Sequence, residues 1–270
     1  MVRNLLVLML VFLSVVAKAQ KVAFHHALDQ WVKYLHPLNQ QEKIGYIFYK
    51  PSVGFLLKHT PELEANLTYD FLSTGSYVKL DQLFPNVTIL NSTEKQQLNL
   101  PELTKTVNLQ STAPDYLFDL GYHFNHTGAN DLALQVLLKL QRLQPNYKNI
   151  AFELGFAYNA LYKHELAYAV LKKAVGQQTN SYGLYRELGY AALGLNKIQE
   201  AEKAYLKAIS LSNDLQQMAE MAMYLTQAYY EEKNDTKFYQ WLKITRMYGD
   251  KFDKIHTFSN QLETTYKNKL

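Results

Sequence analysis

The chain has 270 residues, 48% hydrophobic and 19% charged, an ordinary balance for a globular protein with room for one large or two small domains. Its formal charge is +4, and Arg3 and Lys18 supply two of those positive charges, so composition makes no electrostatic case for nucleic acid. The absence of cysteine excludes disulfides, zinc–thiolate and Fe–S centres, a thiol nucleophile and the acylated cysteine of a bacterial lipoprotein, while tyrosine is unusually frequent at 21 residues.

The N-terminus reads MVRNLLVLMLVFLSVVAKAQ. Arg3 precedes an apolar run from Leu5 to Ala17, and Ala17-Lys18-Ala19 supplies small residues around a cleavage point. This is the three-part pattern of a secretory signal, and the run is shorter than the roughly 20 residues a membrane-spanning helix needs. Residues 1–19 are therefore expected to be a signal peptide, with a mature chain starting at Gln20, exported to the periplasm or cell exterior and with no stable membrane insertion after cleavage.

Residues 20–112 show no repeat. Phe24, Leu28, Trp31 and Leu35 fit one face of a helix. TPELEANLTYDFL, from Thr60, carries a cap, Pro61 in the first turn and acids just after, which predicts a second helix, and SYVKLDQLFPN predicts a short third one ended by Pro85. GYIFY (45–49) and NVTIL (86–90) favour extended structure instead. The region reads either as irregular helical hairpins or as a small mixed subdomain. The polar stretch NLPELTKTVNLQSTAPD, with its two prolines, reads as a linker near 100–112.

The second half repeats. Leu120-Gly121, Leu154-Gly155 and Leu188-Gly189 are spaced by 34 residues, and an alanine follows each glycine by twelve (Ala133, Ala167, Ala201). Leu137, Leu171 and Tyr205 come four later, then Leu140, Ala174 and Ala208. Phe124 and Tyr158 sit three after the first two glycines, and Pro145 marks a turn in the first copy. These residues resemble the tetratricopeptide repeat, W-x2-L-G-x2-Y then A-x3-F then P on a period of 34. Leu117, Ala151 and Tyr185 replace the leading tryptophan, and Thr179 and Asn213 stand where Pro145 has its counterparts. The repeat style and the AKAQ stretch also resemble exported proteins of Gram-negative bacteria of the Bacteroidota type. A fourth copy carries Leu225, Thr226 and Tyr229, then Phe238, Leu242 and Thr245, with its phase slipped by three residues. Phe252, Ile255, Phe258, Leu262 and Tyr266 form an amphipathic helix suited to cap the stack.

The expected fold class is thus mainly all-α. A tetratricopeptide-type α-solenoid of about four helical hairpins spans 113–250 (114–147, 148–181, 182–215 and a degenerate 219–250). A capping helix and tail span 251–270, and the solenoid is preceded by the helix-rich or mixed region 20–112.

Motifs for chemistry are few. G-x-S-x-G, H-E-x-x-H and G-x-x-x-x-G-K-[ST] are all absent. His25 and His26 diverge on a helix, His123 and His126 lack a supporting carboxylate pattern, and Glu231-Glu232 reads as solubilising charge at a helix end. N-x-[ST] triplets at Asn66, Asn86, Asn91, Asn125 and Asn234 read as chance in an asparagine-rich chain. No metal, cofactor or catalytic residue is expected.

The resemblance implies a site. In the family, side chains beside the packing positions of the first helices line an inner groove that grips a peptide or a partner's helix. Carried over residue by residue, these are Phe118, Asp119, Tyr122 and Asn125; Phe152, Glu153, Phe156 and Asn159; and Arg186, Glu187 and Tyr190. They read as an aromatic stripe beside an acidic one, which implies a protein or peptide partner with apolar and basic character, bound without catalysis. A carbohydrate-binding accessory role using exposed aromatics, and an enzyme with its site in residues 20–112, are the competing readings.

Overall fold

The computed structural model describes residues 20–36, 40–59, 77–177 and 180–268. The expected signal peptide and the helix expected from Thr60 lie outside them. The described residues divide into two compact units, one drawn from 20–49, 56–59, 77–79 and 83–107, the other from 50–55, 80–82 and 108–268.

The first unit is built on a sheet of β1 (Lys21–Val22), β2 (Gln30–Leu35), β3 (Glu42–Lys50), β4 (Gly54–His59), β5 (Tyr77–Lys79) and β6 (Val87–Ile89), in the order β1-β6-β2-β3-β4-β5. The helix expected over Phe24–Leu35 is corrected: Phe24–His26 is one 3-10 turn, and Gln30–Leu35 pairs antiparallel with β3, Trp31 opposite Tyr46. Trp31, Val32 and Tyr34 are buried, an aromatic and β-branched set that fits a pleated surface better than a helix. The short helix expected before Pro85 is likewise corrected, because Leu57 pairs with Val78 and makes 77–79 a strand. GYIFY falls within β3, and NVTIL contributes β6.

A helix the sequence did not announce, α1 (Ser92–Gln97), is started by a capping box in which the Asn91 side chain accepts from the Glu94 N–H and Glu94 reaches back to the Asn91 N–H. Lys33 closes on Glu94 at 2.7 Å. The polar stretch after it has no regular structure, yet it is tied to the sheet. The Trp31 indole donates to the Pro101 carbonyl at 2.9 Å, and the Asp29 carboxylate accepts the Thr106 and Val107 N–H groups at 2.9 and 3.0 Å.

The second unit carries the helical hairpins α2 (Pro114–His126)/α3 (Asn130–Leu143), α4 (Ile150–Ala160)/α5 (His164–Val175), α6 (Tyr182–Gly194)/α7 (Ile198–Leu211) and α8 (Leu215–Glu231)/α9 (Asp235–Gly249), then α10 (Asp253–Lys267). The glycine of each Leu-Gly pair is where the two helices of a hairpin meet. A methyl group on Gly121, Gly155 or Gly189 would lie 2.6, 2.5 or 2.5 Å from Leu137, Leu171 or Tyr205, the anchors sixteen residues on. A left-handed residue turns each hairpin: Gly128, Tyr162, Asn196 and Lys233. The first three are 34 apart, and the last comes 37 after its predecessor.

The three extra residues lie in α8, 17 residues long against 13 for α6. Three residues advance a helix by close to one turn, so the buried face survives. Met221, Ala222, Leu225 and Thr226 are buried 34 residues after Glu187, Leu188, Ala191 and Ala192. The last helix closes the stack, Tyr266 stacking on Phe238 with ring centroids 4.1 Å apart and Glu263 taking Arg246 at 2.7 Å. The molecule is thus a tetratricopeptide-type α-solenoid of four hairpins and a capping helix, with an additional sheet region before it.

Candidate interaction face

The first helices of successive hairpins are α2, α4, α6 and α8, and two buried Asn–Glu rungs join the first three of them. Asn125 of α2 donates its side-chain N–H groups to the Glu153 carbonyl at 3.0 Å and the Glu153 carboxylate at 2.8 Å. Asn159 of α4 does the same to Glu187, at 2.9 Å to each. All four residues are buried. Both partners of each amide are acceptors, so the amide orientation is dictated by its neighbours.

The rungs differ electrostatically. Burial pushes the Glu153 carboxyl above the ordinary carboxylate value, and the Asn125 hydrogen bond only partly opposes this. Glu187 also holds Arg186, whose terminal nitrogen lies 2.7 Å from its second oxygen. Burial alone would weaken the Arg186 charge, but Glu187 outweighs it and holds the guanidinium's pKa above its usual value. Asp119, one period before Glu153, accepts the Ser52 N–H at 2.9 Å and stands 3.6 Å from the His123 imidazole.

No third Asn–Glu rung follows, because Leu193 and Met221 occupy those positions; α6 and α8 are tied instead by the Tyr182 hydroxyl, which donates to the Gln217 side-chain oxygen. Behind this junction Glu202 of α7 gathers the Tyr229 hydroxyl at 2.7 Å, the Lys237 ammonium at 2.7 Å and the Trp241 indole at 2.9 Å. Burial opposes its ionisation, but these donors prevail and hold its carboxyl below the ordinary value.

The aromatic positions behave otherwise. Tyr122 and Phe156 lie on consecutive first helices with His126 between them. His126 packs on Tyr122 at 3.9 Å between centroids and stacks on Phe156 at 6.3 Å, 13° from parallel. Tyr190 follows on α6, its ring 6.0 Å from that of Tyr224 on α8. Tyr122, Phe156, Tyr190 and Tyr224 are each 34 residues apart. Tyr122 and Tyr224 are exposed, the other two half-buried. Tyr224 escapes the sequence pattern when the slip of three is applied to the whole fourth copy. Its distance from Tyr190 is the signal that finds it, as the slip begins only after Ala228.

The eleven residues expected along the groove therefore separate. Asn125, Glu153, Asn159 and Glu187 are spent between helices, so the expectation of a ligand-facing acidic stripe is corrected: in helices this close, buried amides and carboxylates find each other before they find a ligand. Reversing the charge at Glu153 or Glu187 would disrupt the stack and says nothing by itself about a partner. Phe118 packs on Tyr147 at 5.1 Å, and Phe152 presses on Gly183, both half-buried against the next hairpin's approach. Arg186 lies 5.8 Å from the Tyr182 ring centroid. Tyr122, Phe156 and Tyr190 form the column that Tyr224 extends. Among the described residues no three histidine or acidic side chains could hold a metal ion together, and no helix is long and apolar enough to cross a membrane.

No family model matches the sequence, and no curated protein matches it. Solved structures that resemble it include TTC0263, a thermophilic TPR protein of Thermus thermophilus, at 20% identity and a TM-score of 0.46 over 57% of this chain and 82% of that one. MamA from Desulfovibrio magneticus RS-1 matches at 19% identity and 0.42, over 55% of this chain and 77% of its own. PilF of Pseudomonas aeruginosa matches at 15% and 0.44, over 65% and 84%. The repeat assignment rests on this chain's own 34-residue register.

Proposed function

We propose that the chain is a non-catalytic scaffold of the bacterial cell envelope that holds another polypeptide along the face shared by α2, α4, α6 and α8. The observation that carries this reading is the column Tyr122, Phe156, Tyr190 and Tyr224, repeated at one position of four consecutive first helices. A core does not need partly exposed aromatic rings at a fixed position of successive repeats. A polypeptide does, because rigid aromatic anchors carry most of the energy of such contacts. The buried rungs beneath keep the helices at fixed spacing, so the rings are presented in advance of binding.

The test uses the full chain and photo-crosslinked capture from the native envelope. Tyr122→Ser with Tyr224→Ser removes two exposed rings, so the melting temperature should move little while the crosslinked polypeptide is lost. Equal capture by wild type and variant would overturn the reading. Action outside the cytoplasm rests on the signal-like residues 1–19. Mass analysis of the native protein should give a chain beginning at Gln20, and a retained Met1 would refute export by cleavage.

A further inference from the structure

At the junction without an Asn–Glu rung, a cleft of about 450 Å³ lies between the C-terminal halves of α6 and α8; the α4/α6 junction, which keeps its rung, has one of about 370 Å³ at the N-terminal ends of its helices. One wall is Tyr190, Leu193 and Gly194, the other Tyr224, Gln227 and Ala228. These are the same three positions of consecutive first helices, one period apart, at the i, i+3, i+4 spacing of a single helix face. At the two earlier junctions the middle position is Asn125 or Asn159, which ties its helix to the next. Here it is Leu193, and Gln227 faces it with no buried carboxylate to bind.

The cleft carries exposed acids, which the insertion brings to it. Ala228 is one period after Gly194, the last residue of α6, whereas α8 continues through Tyr229, Tyr230 and Glu231. That added turn brings Glu231 and Glu232 to the cleft. Glu231 has no counterpart in the preceding repeat, because the 37-residue step from Asn196 to Lys233 aligns Lys197, the cap of α7, with Asn234, the cap of α9. The Gln227 amide donates to Glu231 at 3.0 Å and the Gln199 amide approaches Glu232 at 3.4 Å, and neither carboxylate forms an ion pair among the described residues. Neither lysine nor arginine lines the cleft. Two helices end at it, and their last carbonyls add negative potential. His164, also in the lining, has a buried Nδ1 without a hydrogen-bond partner.

We propose that this cleft receives a lysine or arginine side chain of the polypeptide held along the aromatic column. The Tyr190 and Tyr224 rings, set edge to face, suit the alkyl stem, and two carboxylates at the C-terminus of α8 that form no ion pair among the described residues suit the charge. The volume is in the range that encloses a compact ligand group. Tyr190 and Tyr224 belong to both the column and the cleft, which makes the cation site continuous with the peptide track. The partner's basic character, first inferred from an acidic stripe that is interior, is thereby placed on Glu231 and Glu232. The inference rests on the scaffold reading above.

The test selects a random-peptide display library on the full chain and, in parallel, on Glu231→Gln/Glu232→Gln, a change at exposed positions. Wild type should enrich peptides with a lysine or arginine at a fixed distance from apolar or aromatic residues, and the variant should keep the aromatic preference and lose the basic one. In the best enriched peptide, replacing arginine by citrulline should weaken binding to wild type by about tenfold and to the variant hardly at all. Enrichment of aromatic peptides with no placed cation would overturn this inference and leave the scaffold reading standing. Free arginine binding as tightly as the peptide would make the cleft a small-molecule site and overturn it too. No enrichment by either protein would sink the scaffold reading, and the inference with it.

Discussion

The front and rear of the helical array solve one problem in different ways. Between α2 and α4, and between α4 and α6, buried Asn–Glu rungs lock neighbouring first helices at a fixed spacing. Between α6 and α8 the rung residues become Leu193 and Met221; the Tyr182 hydroxyl ties the helices at their N-terminal ends through Gln217, and Glu202 joins α7 to Tyr229, Lys237 and Trp241. Both junctions border a cleft: one of about 370 Å³ at the N-terminal ends of α4 and α6, and one of about 450 Å³ between the C-terminal halves of α6 and α8. What differs is the C-terminal half, where α4 and α6 are joined by a buried rung and α6 and α8 are not, while the packing anchors stay unchanged.

The comparison breaks most severely at Glu202. Glu202→Ala strands a buried indole N–H, a tyrosine hydroxyl and a lysine at once, and should cost about 3–5 kcal/mol in denaturant unfolding. Because the folded state lowers this carboxyl's pKa, its contribution is fully present above the ordinary carboxylate range and is lost as pH falls through the lowered value. The variant's deficit should therefore shrink in acid, and a deficit independent of pH would show that its charge is not what holds the rear.

Asn159→Leu copies the rear into the front. It leaves the Glu187 carbonyl and one carboxylate oxygen without their donor and should cost about 2–3 kcal/mol. Adding Glu187→Met removes the orphaned acceptor but also takes the carboxylate from Arg186, so it should recover only part of that loss. A thermal-melt cycle over the two single variants and the double variant measures the coupling. Additive losses would mean that the rung is not a unit.

The array was legible because its signal is redundant. Leu-Gly, alanine and anchor positions recur three times in phase, and each copy corroborates the others. The site was only half legible, for a physical reason. Side chains beside the packing glycine include ones that reach the adjacent first helix and ones that reach solvent, and residue type does not separate them. Tyr122 faces out and Asn125 in, three residues apart. The signal for burial was the pairing itself, an asparagine followed 28 residues later by a glutamate, twice. The sheet was harder because Phe24, Leu28, Trp31 and Leu35 satisfy a helical spacing by coincidence, whereas the pairing that makes Gln30–Leu35 a strand depends on Glu42–Lys50, which no local window contains.

The smallest expected effect separates the two front rungs. Burial raises the Glu153 pKa, and neither the Asn125 hydrogen bond nor the charge of nearby His126 offsets it, so the folded state holds a proton there more tightly than the unfolded chain does. The cost of ionising it is absent below the ordinary carboxylate range and develops as pH rises through that range toward the raised value. Glutamine keeps an oxygen for Asn125 and carries no charge, so Glu153→Gln should stabilise by about 1 kcal/mol at neutral pH and do nothing in acid. Glu187→Gln removes the partner of the half-buried Arg186 and should destabilise at neutral pH by a similar amount, about 1 kcal/mol. Melting curves of the two variants across pH should thus diverge in opposite directions. If both variants lost stability, the Glu153 carboxylate would be ionised and well satisfied where it sits, and the two rungs would be electrostatically alike.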